Sequence, residues 1–280
     1  MRFILETLGR RPARLTRQRL AVSSGCCEFR KKSAVRPSEG FSGSADSLET
    51  FLERLRELCP DHGRCDGEPG PGEIQDQARH AHDLARELGI LIRSSDSYQS
   101  LEGVQGSEHI VELDLASRSA IKITIPPAFG LVPRLKHLPV VDLRSEHPRT
   151  RTVIEFFPAT PLEYLERWQA ANEVFGDDVR LASVVEWPDG EISFCITQPQ
   201  YHGQPAAPRD IESFFLKNGW TRLKDPSGHV IFFNHAYHVM AIDAERRNCY
   251  LTDGQLQPFD VILCRPDAGM EEFLGIWHRH

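Results

Sequence analysis

Apolar positions along the chain follow two rhythms, and the change between them falls near residue 101. In "DSLETFLERLREL" (46–58), Leu48, Phe51, Leu52, Leu55 and Leu58 recur at helical spacing behind a Ser/Asp cap signal. Beyond the breaker-rich "CPDHGRCDGEPGPG", the stretch "EIQDQARHAHDLARELGIL" predicts a second helix ended by Gly89. The texture then becomes strand-like. "HIVELDLASRSAIKITIP" reads as two strands, His109 to Leu113 and Ala120 to Ile125, joined by a short polar turn. "TVIEFFP" (152–158) reads as a strand or a lead-in. "TPLEYLERWQAANEVF" opens with Thr160 as N-cap, Pro161 at the first helical position and Glu163 as third residue, a capping box. "VRLASVVEW", Pro188-Asp189-Gly190 and "EISFCITQ" form a hairpin, and a short helix begins near Pro208. "HVIFFNHAYHVMAI" supplies one or two apolar strands leading to Asp243. The order predicts an α+β fold of two lobes around a cleft, with no internal repeat.

The last hairpin is specified most sharply. Asp253-Gly254 lies between "CYL" and "QLQ", and Asp-Gly between strand-like runs favours a type I′ turn. With those two residues as the turn, Thr252 faces Gln255, Tyr250 faces Gln257 and Asn248 faces Phe259. Pro258 then falls opposite Cys249 at a non-hydrogen-bonded pair, where its missing N–H removes nothing from the ladder. Asn248 and Asp260 end side by side at the open end, with Asp243 just before the hairpin.

Charge narrows the partners. The 280 residues carry a net −7, but residues 1–40 hold ten Lys/Arg against three Asp/Glu, a local +7. The remainder, with 23 basic and 37 acidic residues, stands at −14, an unfavourable surface for nucleic acid. The Arg- and Ser-rich residues 1–45 predict a disordered basic extension. Organelle-targeting peptides and nucleic-acid-binding arms share that composition; a plain flexible extension is the simpler reading. The seven cysteines are odd in number and irregularly spaced, as free thiols of a reducing compartment would be. Cys59, Cys65, His80 and His82 stand in a loosely zinc-like order, but the cysteine spacing is wide and broken by Pro and Gly. Loop cysteines and helix-surface histidines are the preferred reading. No apolar run reaches the roughly 18 residues of a spanning helix, and "MRFILETLGRR" lacks the apolar stretch of a secretory signal. The expectation is a cytoplasmic protein without membrane contact.

Three separated pieces carry candidate chemistry. In "SAIKIT", alternation puts Ala120, Lys122 and Thr124 on one face and three isoleucines on the other. The isoleucine face is expected in the core, with Lys122 turned to solvent or a cleft; a solvated strand lysine is the bland alternative. The helix from Thr160 carries Glu163, Glu166 and Glu173, any of which could pair with Lys122 or simply face water. The third piece is Asp243, Asn248 and Asp260. His235 and His238 read as core or strand-surface histidines. Trp168, Phe175, Trp187, Phe232 and Phe233 read as core.

"GSEHIVELDLASRSAIKIT", "TPLEYLERWQAANEVFGDDVRL", "TQPQYHGQPAAPRDIESFF" and "DAERRNCYLTDGQLQPFDVI" resemble the kinase-like domain of polyvalent proteins of phages and mobile elements. The likeness runs from about residue 100 to 270. It implies a compact protein-kinase-like fold over residues 101–275: an N-lobe of antiparallel sheet and one helix (about 101–197), a linker (about 198–204) and a reduced C-lobe (about 205–275). Residues 46–100 would be a helical segment ahead of it. The implied activity is ATP- and Mg²⁺-dependent phosphoryl transfer to a hydroxyl acceptor, a protein Ser, Thr or Tyr or a small molecule. Lys122 matches the lysine on the α/β-phosphates, Asp243 the catalytic-loop acid, and Asn248 and Asp260 the metal ligands. Gly106 and Ser107 match the reduced phosphate loop, together with Gly103. Spacing points to Glu166 as the partner of Lys122, the Glu-Tyr-Leu pattern to Glu163. Ala241-Ile242 stand where His-Arg would precede the acid, and Val261-Ile262 where Phe-Gly would follow Asp260. These departures keep open a pseudokinase, a nucleotide- or protein-binding module without turnover.

Overall fold

Two helices come first among the described residues, α1 (Asp46–Leu58) and α2 (Pro71–Glu87), and α1 buries Leu48, Phe51, Leu52 and Leu55 of the stripe its spacing predicts. The computed structural model describes residues 46–60, 70–94, 104–140 and 149–276. The basic extension 1–45, Cys65 and Gly103 lie outside the described residues. After α2 come β1 (Leu91–Arg93), β2 (Val104–Gln105), β3 (His109–Asp114) and β4 (Ser119–Thr124). A long ribbon, β5 (Leu131–Val140) and β6 (Arg149–Pro158), precedes α3 (Pro161–Phe175), β7 (Arg180–Glu186) and β8 (Ile192–Pro199). The rest comprises β9 (Gln204–Pro205), α4 (Pro208–Lys217), β10 (Trp220–Leu223), β11 (Ile231–Asn234) and β12 (Val239–Ile242). The hairpin β13 (Cys249–Thr252) and β14 (Gln255–Pro258), then β15 (Ile262–Cys264) and α5 (Ala268–Leu274), complete it.

The architecture is α+β. A six-stranded sheet runs β1-β7-β8-β4-β3-β2 and is antiparallel except for the parallel pair β1–β7. A four-stranded sheet runs β10-β11-β12-β15, and smaller sheets are β14-β13-β9 and the β5–β6 ribbon. The main core joins α1, α2 and α3 to one face of the large sheet: Phe51, Leu55, Leu84, Trp168, Leu181 and Phe194 are all buried in it. The helical residues 46–87 therefore share the core of the strands that follow. Leu58, at the end of the α1 stripe, stays exposed.

Strands β11 and β12 are buried on both faces, which explains their unbroken apolar run. Phe232, Val239 and Ala241 face the main core, while Ile231, Phe233, Met240 and Ile242 join Ile262, Met270 and Ile154 in a second cluster. That cluster binds α5 and the ribbon to the four-stranded sheet.

The two faces of β4 divide as expected, but the lysine is not solvated. The isoleucine face packs with Val185, Trp187 and Cys195 in a small core cluster, whereas Lys122 on the other face is buried between Trp168 of α3 and Asp260. Lys122 stands with its Nζ 4.7 Å from the Trp168 ring centre. Helix α3 lies on this side because its inward stripe, Tyr164, Leu165 and Trp168, shares the main core with Leu181, Phe194 and Ile196 of β7 and β8.

Candidate active site

The final hairpin forms in the register its turn dictates. Asp253 and Gly254 have φ 51° and 78°, both left-handed as a type I′ turn requires. Cys249 pairs with Pro258, Tyr250 with Gln257 and Thr252 with Gln255. Phe259 N donates to Asn248 O at 3.0 Å, so Asn248 and Asp260 flank the open end. Tyr250 and Tyr201 pack on the Phe259 ring and hold that end.

Upstream, the loop after β12 is pinned around Asp243, which adopts φ 62°, an unusual backbone for a non-glycine residue. Asn248 Nδ2 donates to Asp243 O and to Asp243 Oδ2, each at 2.8 Å. Both amide protons are thereby used on Asp243, which fixes the orientation of the amide and leaves its Oδ1 an acceptor without a donor among the described residues. Arg247 Nη2 donates to Asp243 Oδ1 at 2.6 Å.

Lys122 reaches this cluster from β4. Its Nζ lies 2.8 Å from Asp260 Oδ1, and only 4% of the residue is exposed. Arg167 of α3 approaches the same oxygen at 3.4 Å and binds Glu108 Oε2 at 2.6 Å. Glu108 Oε2 also accepts from Leu131 N at 2.9 Å. Burial favours protonated Asp260, but Lys122 and Arg167 outweigh it and hold the carboxyl at about 2. Burial lowers the Lys122 pKa, and Asp260 pulls it back up. His109, bonded to the Tyr164 hydroxyl at 3.0 Å, is pushed down to about 3 by burial and then by Lys122, so it is neutral. Asp177, just past α3, is buried with Oδ1 lacking a partner among the described residues. Burial raises it to about 7, against the opposing pull of Lys122.

A cavity of about 410 Å³ opens onto these groups, lined by Gly106, Ser107, Glu108, Asp243, Arg247, Asn248 and Asp260. Leu131, Phe156 and Ile262 form its apolar wall. The cavity thus gathers Asp243, Asn248, Asp260, Gly106 and Ser107; Lys122 is not among its lining residues and joins them through its contact with Asp260. The structure does not bring Glu163 or Glu166 to Lys122. Glu163 closes the capping box with Thr160 and pairs with Arg134 at 2.5 Å, while Glu166 pairs with Arg56 at 3.0 Å. Both glutamates leave the buried stripe of α3; the residue that stays in it beside the lysine is Arg167. A larger hollow of about 870 Å³, lined in part by Ile74, Ala78, Phe129 and Ile192, contains none of these residues.

Sequence reasoning missed Arg167, Glu108 and Arg247. The phase of α3 offered a signal, because Arg167 follows Tyr164 by three positions and precedes Trp168. Arg247 follows Asp243 by four positions, which in a tight loop returns to the same carboxylate.

Asn248 and Asp260 suit a hard cation. The amide presents an oxygen, and both cations on Asp260 act on Oδ1, leaving Oδ2 of a residue whose side chain is 34% exposed. Among the described residues no three His, Cys, Asp or Glu side chains form a metal cluster, and no helix is long and apolar enough to cross a membrane. No known family, curated protein or solved structure matches the chain.

Proposed function

We propose that the chain is an ATP- and Mg²⁺-dependent phosphotransferase of protein-kinase-like fold that acts on a hydroxyl acceptor. The observation that carries this reading is the 2.8 Å contact of Lys122 with Asp260 beside a cavity shared by Asp243, Asn248, Gly106 and Ser107. The antiparallel strands β3, β4, β7 and β8, with α3 between the two pairs, support it as an N-lobe.

In this reading the Lys122 ammonium turns from Asp260 to the α/β-phosphates, while backbone N–H groups near Gly106 and Ser107 cover the phosphate chain. Asn248 and Asp260 would hold magnesium, which would supply positive charge against the phosphate oxygens. The acceptor oxygen attacks the γ-phosphorus, the bond to the β–γ bridging oxygen breaks, and ADP departs with that electron pair. Asp243 takes the acceptor's proton. Arg247 leaves Asp243 Oδ1 as the phosphoryl group arrives, which opens that oxygen to the hydroxyl.

Radiolabelled-ATP transfer with the full chain tests the reading. Asp243→Ala is expected to lose at least about a hundredfold in transfer while keeping the thermal shift with ATP. Unchanged transfer in that variant would refute the role of Asp243. A second reading, a nucleotide-binding pseudokinase, is favoured by one observation: both Asp243 oxygens are already engaged, by Asn248 and Arg247. It predicts an ATP-induced shift with no transfer by the wild-type chain.

A further inference from the structure

We propose that Arg167 is a positioning residue of this site, yoking the turn at Gly106–Glu108 to the metal-binding carboxylate of Asp260. The inference rests on the phosphotransferase reading. Arg167 is 3% exposed and occupies a place in the α3 stripe where an apolar side chain would pack without desolvating a charge. What compensates it is two-ended. Nη1 meets Glu108 Oε2 at 2.6 Å, and Nη2 meets Asp260 Oδ1 at 3.4 Å and its carbonyl oxygen at 3.3 Å.

The Glu108 end is itself fixed. Its Oε2 accepts from Leu131 N, and it lies where Gly130 has no side chain; a Cβ on Gly130 would fall 2.7 Å from that oxygen. A rigid guanidinium fork between two carboxylates transmits position, because its donors have a set spacing. On the Asp260 side it shares one oxygen with Lys122. When nucleotide phosphates draw the ammonium away, Arg167 is the cation that remains on Oδ1, holding in place a carboxylate that lines the cavity. Helix α3 thus serves Asp260 with an arginine, where the resemblance implied a glutamate for Lys122.

Calorimetric titration of the full chain with ATP, once in Mg²⁺ and once in EDTA, tests this. Arg167→Met is expected to lose about tenfold or more of the affinity gained on adding Mg²⁺, with the affinity in EDTA held within about threefold. Arg167→Lys should lose most of the same gain, because one ammonium does not span both acids. Glu108→Gln should move the gain in the same direction, and Glu108→Gln with Arg167→Met should be no worse than Arg167→Met alone. That double variant leaves no unpaired glutamate and carries the test should Arg167→Met not fold. A full Mg²⁺-dependent gain in the arginine variants overturns the yoke alone. Equal losses with and without Mg²⁺ overturn it too, since that is what a purely structural side chain would give. A wild-type chain that binds ATP under neither condition overturns the phosphotransferase reading, and the yoke with it.

Discussion

Lys122 Nζ and Asp260 Oδ1 meet at 2.8 Å although 138 positions separate them in the chain. The contact is asymmetric in its support. Asp260 has Arg167 as a second cation, whereas among the described residues the only carboxylate bonded to Lys122 is that of Asp260.

Removing the acid is therefore expected to cost more than removing the lysine. Asp260→Asn leaves two buried cations short of a partner, a loss of about 1–3 kcal/mol. Lys122→Met leaves Asp260 still bonded to Arg167, at a smaller loss. Urea denaturation of both variants compares them, and the opposite order would count against the asymmetry.

Asp177 gives a pH signature. Its carboxyl rises from the usual 3.8 to about 7 in the folded chain, chiefly by burial. Between those values the native state keeps a proton that the unfolded chain has released, so stability falls as pH rises through the window. Asp177→Asn removes this term. The variant should match wild type near pH 4 and exceed it by roughly 2 kcal/mol or more above pH 7. Melting curves from pH 4 to 8 measure it; a difference that does not change with pH would sink the assignment.

Asn248 is held by what its amide donates. Asn248→Ala loses both bonds to Asp243, at about 1–3 kcal/mol. Asn248→Asp keeps the shape but sets a second carboxylate against Asp243, and is expected to melt lower than the alanine variant at neutral pH. If the aspartate variant proves the more stable of the two, the orientation assigned to the amide is wrong.

Glu163 and Glu166 should separate stability from binding. Glu163→Ala breaks the capping box and the Arg134 pair, an expected cost of about 1 kcal/mol. Glu166→Ala breaks a half-exposed pair with Arg56 and should cost less than about 1 kcal/mol. Neither should alter ATP affinity in Mg²⁺ by more than about twofold, read by the same titration. A tenfold loss in either would restore that glutamate to the site.

Much of the fold was legible where local chemistry decides the outcome. The Thr160–Glu163 box, the Asp253-Gly254 turn and the α1 stripe each rest on residues a few positions apart, and each stands where expected. Of the β5–β6 ribbon only the β6 leg was read, as the strand or lead-in at 152–158; β5 was not, because Pro133 and Pro139 interrupt a strand-like reading that only a two-stranded edge position permits. Strand β10, strand β15 and helix α5 are short and take their identity from packing on β11 and β12. The site was legible in its convergence but not in its pairing. Periodicity indicates which face a residue occupies; it does not say which of two glutamates and an arginine on neighbouring faces will be closest to a lysine from another strand. Burial of α3 decided that, by turning its acids outward.

One property of the β13–β14 hairpin reaches beyond its present sequence. Because Asn248 and Asp260 hang from the two legs of a single loop-closed arm, their spacing is insensitive to what the tip is made of but acutely sensitive to parity. Lengthening both legs by two residues would carry the tip outward and leave the pair at the base with its orientation intact. One extra residue in a single leg would rotate one donor to the opposite side and dismantle the pair, together with its bonds to Asp243 or to Lys122 and Arg167.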